Sequence, residues 1–303
     1  MSNVIEVTEL RKVYGDLVAV DGISFSVAEG EIFGMVGPNG AGKTTTVECI
    51  EGLRTRDAGD IRILGIDPAN RLALADRVGV QLQESALPDR LGVREALGLF
   101  ASFYERPASP AELLATLGLE DKAAARFDKL SGGQKQRLFI ALALVGRPEV
   151  VFFDELTTGL DPQARRAMWD LVRQVRDSGT TVVLTTHFME EAERLCDRVL
   201  IMDEGRIVAL DTPAELVASI GAERRVVFTI EADAPFPDLA GVPAVSRVER
   251  SGERAIVYGA GPRFVSEVVR ALEDEGVGFV DLRTEQPTLD DVFLQLTGRE
   301  MRE

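Results

Sequence analysis

Gly37-Pro38-Asn39-Gly40-Ala41-Gly42-Lys43-Thr44 has glycine, lysine and a hydroxyl at the fixed positions of a phosphate-binding loop, G-x-x-x-x-G-K-[ST]. Glycines let the backbone close around a polyphosphate, so that amide N–H groups and the N-terminus of the next helix point at the anion. Lys43 brings a mobile positive charge for the terminal phosphates, and the Thr44 hydroxyl is suited to a magnesium ion. The nucleotide-binding stretch is taken as Gly37, Pro38, Asn39, Gly40, Ala41, Gly42, Lys43, Thr44 and Thr45. Gly-rich turns also join strands to helices with no ligand, but Lys and Thr directly after the last glycine set this turn apart. The expected ligand is a nucleoside triphosphate.

A second constellation lies downstream. The apolar run Val150-Val151-Phe152-Phe153 delivers Asp154 and Glu155 at its C-terminal end, where open α/β sheets bind their ligands. Asp154 is expected to hold magnesium, directly or through water. Glu155 is expected to orient or deprotonate the attacking water, a role that contributes about 10²–10⁴-fold in rate. The plain alternative is a solvated Asp-Glu turn. Between the two lies Leu130-Ser131-Gly132-Gly133-Gln134, in which Ser131 and Gln134 have capping-box spacing. Capping and anion binding are compatible here, because a glycine-flanked helix N-terminus also attracts negative charge.

These residues need a scaffold. Glu31 to Val36 reads as a buried strand before the loop, and Thr44 to Glu51 as the first turns of a helix. Val4 to Val13 and Ala19 to Val27 read as paired antiparallel strands around Gly15-Asp16, with Tyr14 ending the first. Further strands are expected at Gly59 to Gly65 and Val78 to Leu82, with a polar helix at Asn70 to Arg77 between them. Residues 87–130 change character: Leu91 to Tyr104 and Pro110 to Leu119 have helical spacing, and no strand pattern interrupts them. The alternation then resumes, with helices at Gly132 to Val145, Pro162 to Asp177 and Met189 to Leu195, and strands at Glu149 to Phe153, Thr180 to Thr185 and Arg198 to Met202. Buried strands alternating with helices predict a mainly parallel sheet covered on both faces. After about residue 220 the order changes to a small α+β region without a chemical motif: strands at Arg225 to Ile230, Val245 to Val248, Ala255 to Tyr258 and Val277 to Leu282, and a helix at Phe264 to Glu275. The expected fold class is therefore α/β, with an antiparallel β subdomain and a helical insertion at about 87–130, in a domain spanning 1–220. A C-terminal α+β domain spans 221–303.

Composition narrows the partners. The 303 residues are 45% hydrophobic and 28% charged, ordinary for a chain that buries a real core. A formal net charge of −16 disfavours a protein whose main task is holding nucleic acid or an anionic membrane surface. No signal-peptide pattern opens the chain, and the longest nearly apolar run, Leu138 to Val145, is too short to cross a bilayer. A soluble chain is expected. Cys49 and Cys196 lack the spacing of a metal or redox motif and read as reduced structural thiols.

With the phosphate loop, LSGGQ intact at Leu130 to Gln134 and the carboxylate pair Asp154-Glu155 in that order, the chain closely resembles the ATP-binding-cassette (ABC) ATPases over residues 4 to about 218. The resemblance implies ATP and Mg2+ as ligands and ATP hydrolysis by a head-to-tail dimer of two copies. In it, Ser131, Gly132, Gly133 and Gln134 of one copy close on the γ-phosphate held by the other. It makes Tyr14 the aromatic that stacks on adenine, and Gln83 the residue that joins the magnesium site to the helical insertion. It makes Asp161 a residue that communicates across the dimer, although Asp161-Pro162 also fits a plain helix cap. His187, the chain's single histidine, becomes a γ-phosphate sensor. The catalytic set is then Glu155, His187 and Lys43, and the metal set Thr44, Gln83 and Asp154. The family usually has proline where this chain has Leu156; hydrolysis is expected to survive that change, with altered coupling across the dimer. Pro287-Thr288-Leu289-Asp290-Asp291-Val292-Phe293 and Glu51-Gly52-Leu53 resemble the daunorubicin-resistance branch, whose members energise exporters of drugs, ions, lipids or polysaccharides. That resemblance implies a separate transmembrane permease as partner, a place on the cytoplasmic face of the membrane, and no nucleic acid. The rival reading is an ABC ATPase acting as a soluble switch in translation or DNA maintenance.

Overall fold

The computed structural model describes residues 2–82, 86–221, 223–231 and 236–299. Strands β1 (Asn3–Tyr14) and β2 (Leu17–Ala28) form an antiparallel hairpin. Strand β3 (Ile32–Val36) is buried at every residue and runs into the phosphate loop and helix α1 (Lys43–Ile50). Strand β4 (Ala58–Ile63) joins the free edge of β1, so the first sheet has the order β2-β1-β4. Helix α2 (Arg71–Leu74) is a single turn, shorter than the stretch Asn70 to Arg77 that its polarity suggested. Only Leu74 of it is buried, and Leu72 is 92% exposed, so little packing supports a longer helix.

Strand β5 (Val78–Gln81) precedes the insertion, which consists of helices α3 (Val93–Ala101) and α4 (Pro110–Thr116) and two one-turn 3-10 segments, Glu120–Lys122 and Phe127–Lys129. No strand interrupts it among the described residues. The alternation continues through α5 (Gly132–Leu144), β6 (Val150–Asp154), α6 (Pro162–Asp177), β7 (Thr181–Thr186), α7 (Met189–Leu195) and β8 (Arg198–Asp203). Strand β9 (Arg206–Asp211) turns back antiparallel to β8. Its inner residues are all half-buried, without the apolar alternation that marks a strand in sequence. The main sheet has the order β5-β6-β7-β3-β8-β9, parallel in its first five strands. The loop strand β3 therefore lies between β7 and β8. Ile5, Leu10 and Val20 of the hairpin share one core with Phe33, Met35, Val47, Ile50, Phe152 and Leu200. Each such side chain contributes about 1.5–3 kcal/mol on burial, and this core anchors the loop from below.

The described residues divide into two compact units, one up to Pro213 and the other from Ala214 onward. Helix α8 (Pro213–Ser219) lies at this division. In the second unit, β10 (Arg224–Ile230), β11 (Val245–Ser251), β12 (Arg254–Gly259) and β13 (Phe279–Glu285) form an antiparallel sheet of order β11-β12-β10-β13. Val268 and Leu272 of helix α9 (Phe264–Asp274) are buried with Val226, Phe228 and Val257 of the sheet. Helix α10 (Leu289–Thr297) buries Leu289, Val292 and Phe293, and its Thr288 forms a capping box with Asp291.

Candidate nucleotide-binding and hydrolysis site

The loop leaves β3 under tight steric constraint. A Cβ on Gly37 would lie 2.2 Å from the Met202 carbonyl oxygen, and one on Gly42 would lie 2.4 Å from that of Ala19. Gly42 also takes φ 98°, a left-handed conformation that glycine adopts without strain. Helix α1 starts there with no side-chain cap and no acidic residue in its first turn, so its amide N–H groups remain available to an anion. Lys43 is 5% exposed, and its Nζ donates to the carbonyl oxygens of Gly37 (2.7 Å) and Pro38 (3.1 Å). Burial lowers its pKa, while the charges of Glu155 and Asp154 raise it. A buried ammonium whose hydrogen bonds go to two carbonyl oxygens gains by meeting a phosphate.

Tyr14, Asn39, Gly40, Gly42, Lys43, Thr44, Thr45 and Glu155 surround one recess of about 580 Å³. Leu17, Val18, Ala19 and Glu204 line it too. None of these four stood out in sequence: Leu17, Val18 and Ala19 are aliphatic strand positions, and Glu204 lies in the turn between β8 and β9 with no motif around it. Tyr14 is 38% and Leu17 65% exposed, so an aromatic and an aliphatic surface are open to a base. Lys12 and Arg54 stand 5.3 and 5.2 Å from the Tyr14 ring centre.

The carboxylates meet their partners through strand register. Asp154 pairs with Thr185 across β6 and β7, and the Thr185 hydroxyl donates to Asp154 Oδ1. Burial raises the Asp154 pKa against that hydrogen bond, with Glu155 adding to the rise and Lys43 opposing it. Glu155 has φ 47°, and its N–H meets Thr185 Oγ1 at 3.1 Å. Its Oε1 lies 3.3 Å from His187 Nδ1, and its Oε2 accepts from Thr158 Oγ1 at 3.3 Å. Thr185 and Thr158 were not anticipated from sequence. Leu156 is 4% exposed: burial anchors the position where a proline ring would constrain the backbone.

Ser131 and Gln134 form the reciprocal capping box, with Ser131 N to Gln134 Oε1 at 3.0 Å and Gln134 N to Ser131 Oγ at 3.4 Å. Asp161 caps α6, its Oδ1 accepting from Gln163 N (3.0 Å) and Ala164 N (2.9 Å). Neither group lines the recess over the phosphate loop. Gln83 lies outside the described residues; its neighbour Gln81 is 3% exposed, and its Oε1 has no hydrogen-bond partner.

For a magnesium ion the donors fit. Thr44 and Asp154 supply hard oxygen atoms, and no group of three or more His, Cys, Asp or Glu side chains forms a metal cage among the described residues. Magnesium held by one carboxylate, a hydroxyl and substrate phosphates needs no such cage. Both cysteines are free and buried, and burial raises both thiols, Cys49 to about 11, which keeps them unreactive.

Comparison with known proteins establishes the family. Residues 20–158 match the family model for ABC transporters. The chain is 43% identical to the Nod factor export ATP-binding protein I of Paraburkholderia xenovorans (strain LB400) over 306 residues, covering 99% of this chain and 98% of the relative. It is 40% identical to the daunorubicin resistance ATP-binding protein DrrA3 of Streptomyces coeruleorubidus, covering 98% and 97%. Solved structures superpose well. One is cbiO1 from Clostridium perfringens, part of the ABC transporter complex cbiONQ, with TM-score 0.65, 27% identity, and 73% and 92% of the two chains covered. Another is the dimeric ATP-binding cassette MJ0796 in a post-hydrolysis state bound to ADP and Pi, with TM-score 0.62, 26% identity, and 69% and 98% covered. This chain belongs to the ABC transporter ATP-binding protein family, and it is an ATPase.

Proposed function

We propose that the chain is the ATP-binding subunit of an exporter, hydrolysing ATP as a head-to-tail dimer to drive a separate membrane permease. The observation that carries this reading is similarity along the whole chain, the second unit included, to two ATP-binding proteins named for export. Cargo of the drug, lipid, ion or polysaccharide classes is in keeping with them. No described helix is long and apolar enough to cross a membrane, so the transport path belongs to another chain, and this subunit sits on its cytoplasmic face.

In this reading Tyr14 stacks on adenine, Lys43 and the loop amides hold the phosphates, and Thr44, Gln83 and Asp154 hold magnesium. That ion neutralises charge on the phosphates when bound. Glu155 orients and deprotonates the attacking water, and His187 contacts the γ-phosphate. Ser131, Gly132, Gly133 and Gln134 of the second copy cover the phosphate face that one copy leaves open, and Asp161 relays between the copies. The permease contact is assigned to an apolar recess of about 480 Å³ next to Gln81, with Phe100, Tyr104 and Phe139 in its wall. Leu99 and Phe103, 50% and 71% exposed, lie on the same insertion. The charge of −16 argues against nucleic acid as the partner.

The test is to hold Glu155→Gln with ATP in source-cell membranes, solubilise gently and identify what co-purifies. A stoichiometric polytopic membrane protein is expected. Ribosomes, DNA-maintenance proteins or no partner at all would favour the soluble-switch alternative.

A further inference from the structure

The residues after the Asp161 cap lead in two directions. Ala164 lies against the start of α5, where a Cβ added to Gly133 would stand 3.9 Å from its own. Arg165, next in the chain, places its guanidinium carbon 4.2 Å from the centre of the Phe188 ring. That ring in turn lies 4.1 Å, centre to centre, from the imidazole of His187. Phe188 is held at its backbone by a hydrogen bond from its N–H to Thr186 Oγ1 at 3.0 Å. His187 Nδ1 then faces Glu155 Oε1 at 3.3 Å. A continuous line of contacts therefore runs from α5, which opens at the LSGGQ segment, through α6 to the carboxylate expected to activate water.

The environment of Arg165 is unusual. Its Nε is buried and has no hydrogen-bond acceptor, although surface arginines elsewhere in the chain pair with carboxylates. A guanidinium given an aromatic face in place of an acceptor is held by cation–π attraction, which strengthens on desolvation. Such a contact has directional demands: it fixes the plane of Phe188, and His187 packs against that ring with the two planes tilted by 43°.

We propose that Arg165 is a positioning residue for hydrolysis: it clamps Phe188, and through Phe188 it sets the imidazole of His187 against Glu155. The seating of α6, which Asp161 caps, is thereby linked to the geometry of the hydrolytic pair. This rests on the roles proposed for His187 and Glu155.

The experiment measures kcat and KM for ATP, nucleotide affinity with a fluorescent ATP analogue, and Tm, on the full chain. Arg165→Met keeps the stem and removes the cation; it should lower kcat about tenfold, since small misplacements of reacting groups are costly in rate, with affinity within about twofold and Tm nearly unchanged. Arg165→Lys should recover part of the loss. Phe188→Leu should match Arg165→Met, Phe188→Tyr should remain active, and the Arg165→Met/Phe188→Leu double variant should be no slower than either single, as groups acting as one unit require. Added to His187→Ala, Arg165→Met should change nothing further. Unchanged kcat in Arg165→Met, multiplicative losses in the double variant, or parallel losses of kcat, affinity and Tm would each overturn the proposal. If His187→Ala retains full turnover, the reading of the hydrolytic site fails with it. If His187→Ala is inactive and Arg165→Met is not, the positioning role alone is wrong.

Discussion

In the roles proposed for them Lys43 and Glu155 act through charge, and their variants should separate binding from chemistry. Lys43→Ala should abolish nucleotide binding at physiological concentrations, because the loop amides alone leave the terminal phosphates uncompensated. Equilibrium titration checks this, and unchanged affinity would count against the assignment. Glu155→Gln should keep affinity and lose about 10²–10⁴-fold in turnover; turnover at the wild-type rate would remove Glu155 from the base role. Glu51 offers a pH test. Burial raises its pKa from 4.5 to about 8, with Asp154 and then Glu48 adding to the rise. The folded state therefore holds a proton that the unfolded state has lost between these values, so stability must fall as pH rises through that window. The fall is on the order of 1 kcal/mol per pH unit. Without nucleotide, Glu51→Gln should melt at a flatter temperature from pH 5 to 8 and exceed the wild type near pH 8. Parallel curves for the two proteins would contradict it.

The start of α6 combines a structural and a proposed functional role, and substitution can separate them. Asp161 accepts from two first-turn amides, so Asp161→Ala should cost about 0.5–2 kcal/mol of stability, whereas Asp161→Asn should keep the cap. If the Asn variant retains its Tm but loses turnover, the side chain does more than cap. If it retains both, Asp161 is a cap only. Elements with strong periodicity were legible before folding: α6 and α7 have the bounds that spacing predicts. β9 and α10 carried local signals that were not taken up: Ile207 to Leu210 form a short apolar run, and Leu289, Val292, Phe293 and Leu296 have helical spacing behind the Thr288–Asp291 capping box. β4 was legible as a strand, but its place beside β1 was not, since pairing with a strand about fifty residues earlier leaves no local trace.

Each compact unit has its own core, Val4 to Met202 in the first and Val226 to Val277 in the second. We infer that the chain without residues after about 221 folds and melts cooperatively, since among the described residues the first core draws on none beyond Leu210. Insolubility of that shortened chain would refute the division. The −16 charge makes a further expectation for the whole protein: ATPase activity should be indifferent to added DNA or RNA. A partner-dependent rise is expected only with the permease.

The phosphate loop, the LSGGQ segment and the carboxylate pair were readable from the chain because each is contiguous. A loop that wraps phosphate needs its glycines, lysine and hydroxyl at fixed covalent spacing, and that spacing is the sequence. Thr185 on Asp154, His187 on Glu155 and Arg165 on Phe188 were not readable. The members of these pairs stand 31, 32 and 23 residues apart, and the first two meet because β6 and β7 pair in one register. Leu17, Val18 and Ala19 likewise become walls of the recess over the phosphate loop only when the hairpin folds beside that loop. Such contacts depend on which strands become neighbours, and burial of the shared core decides that.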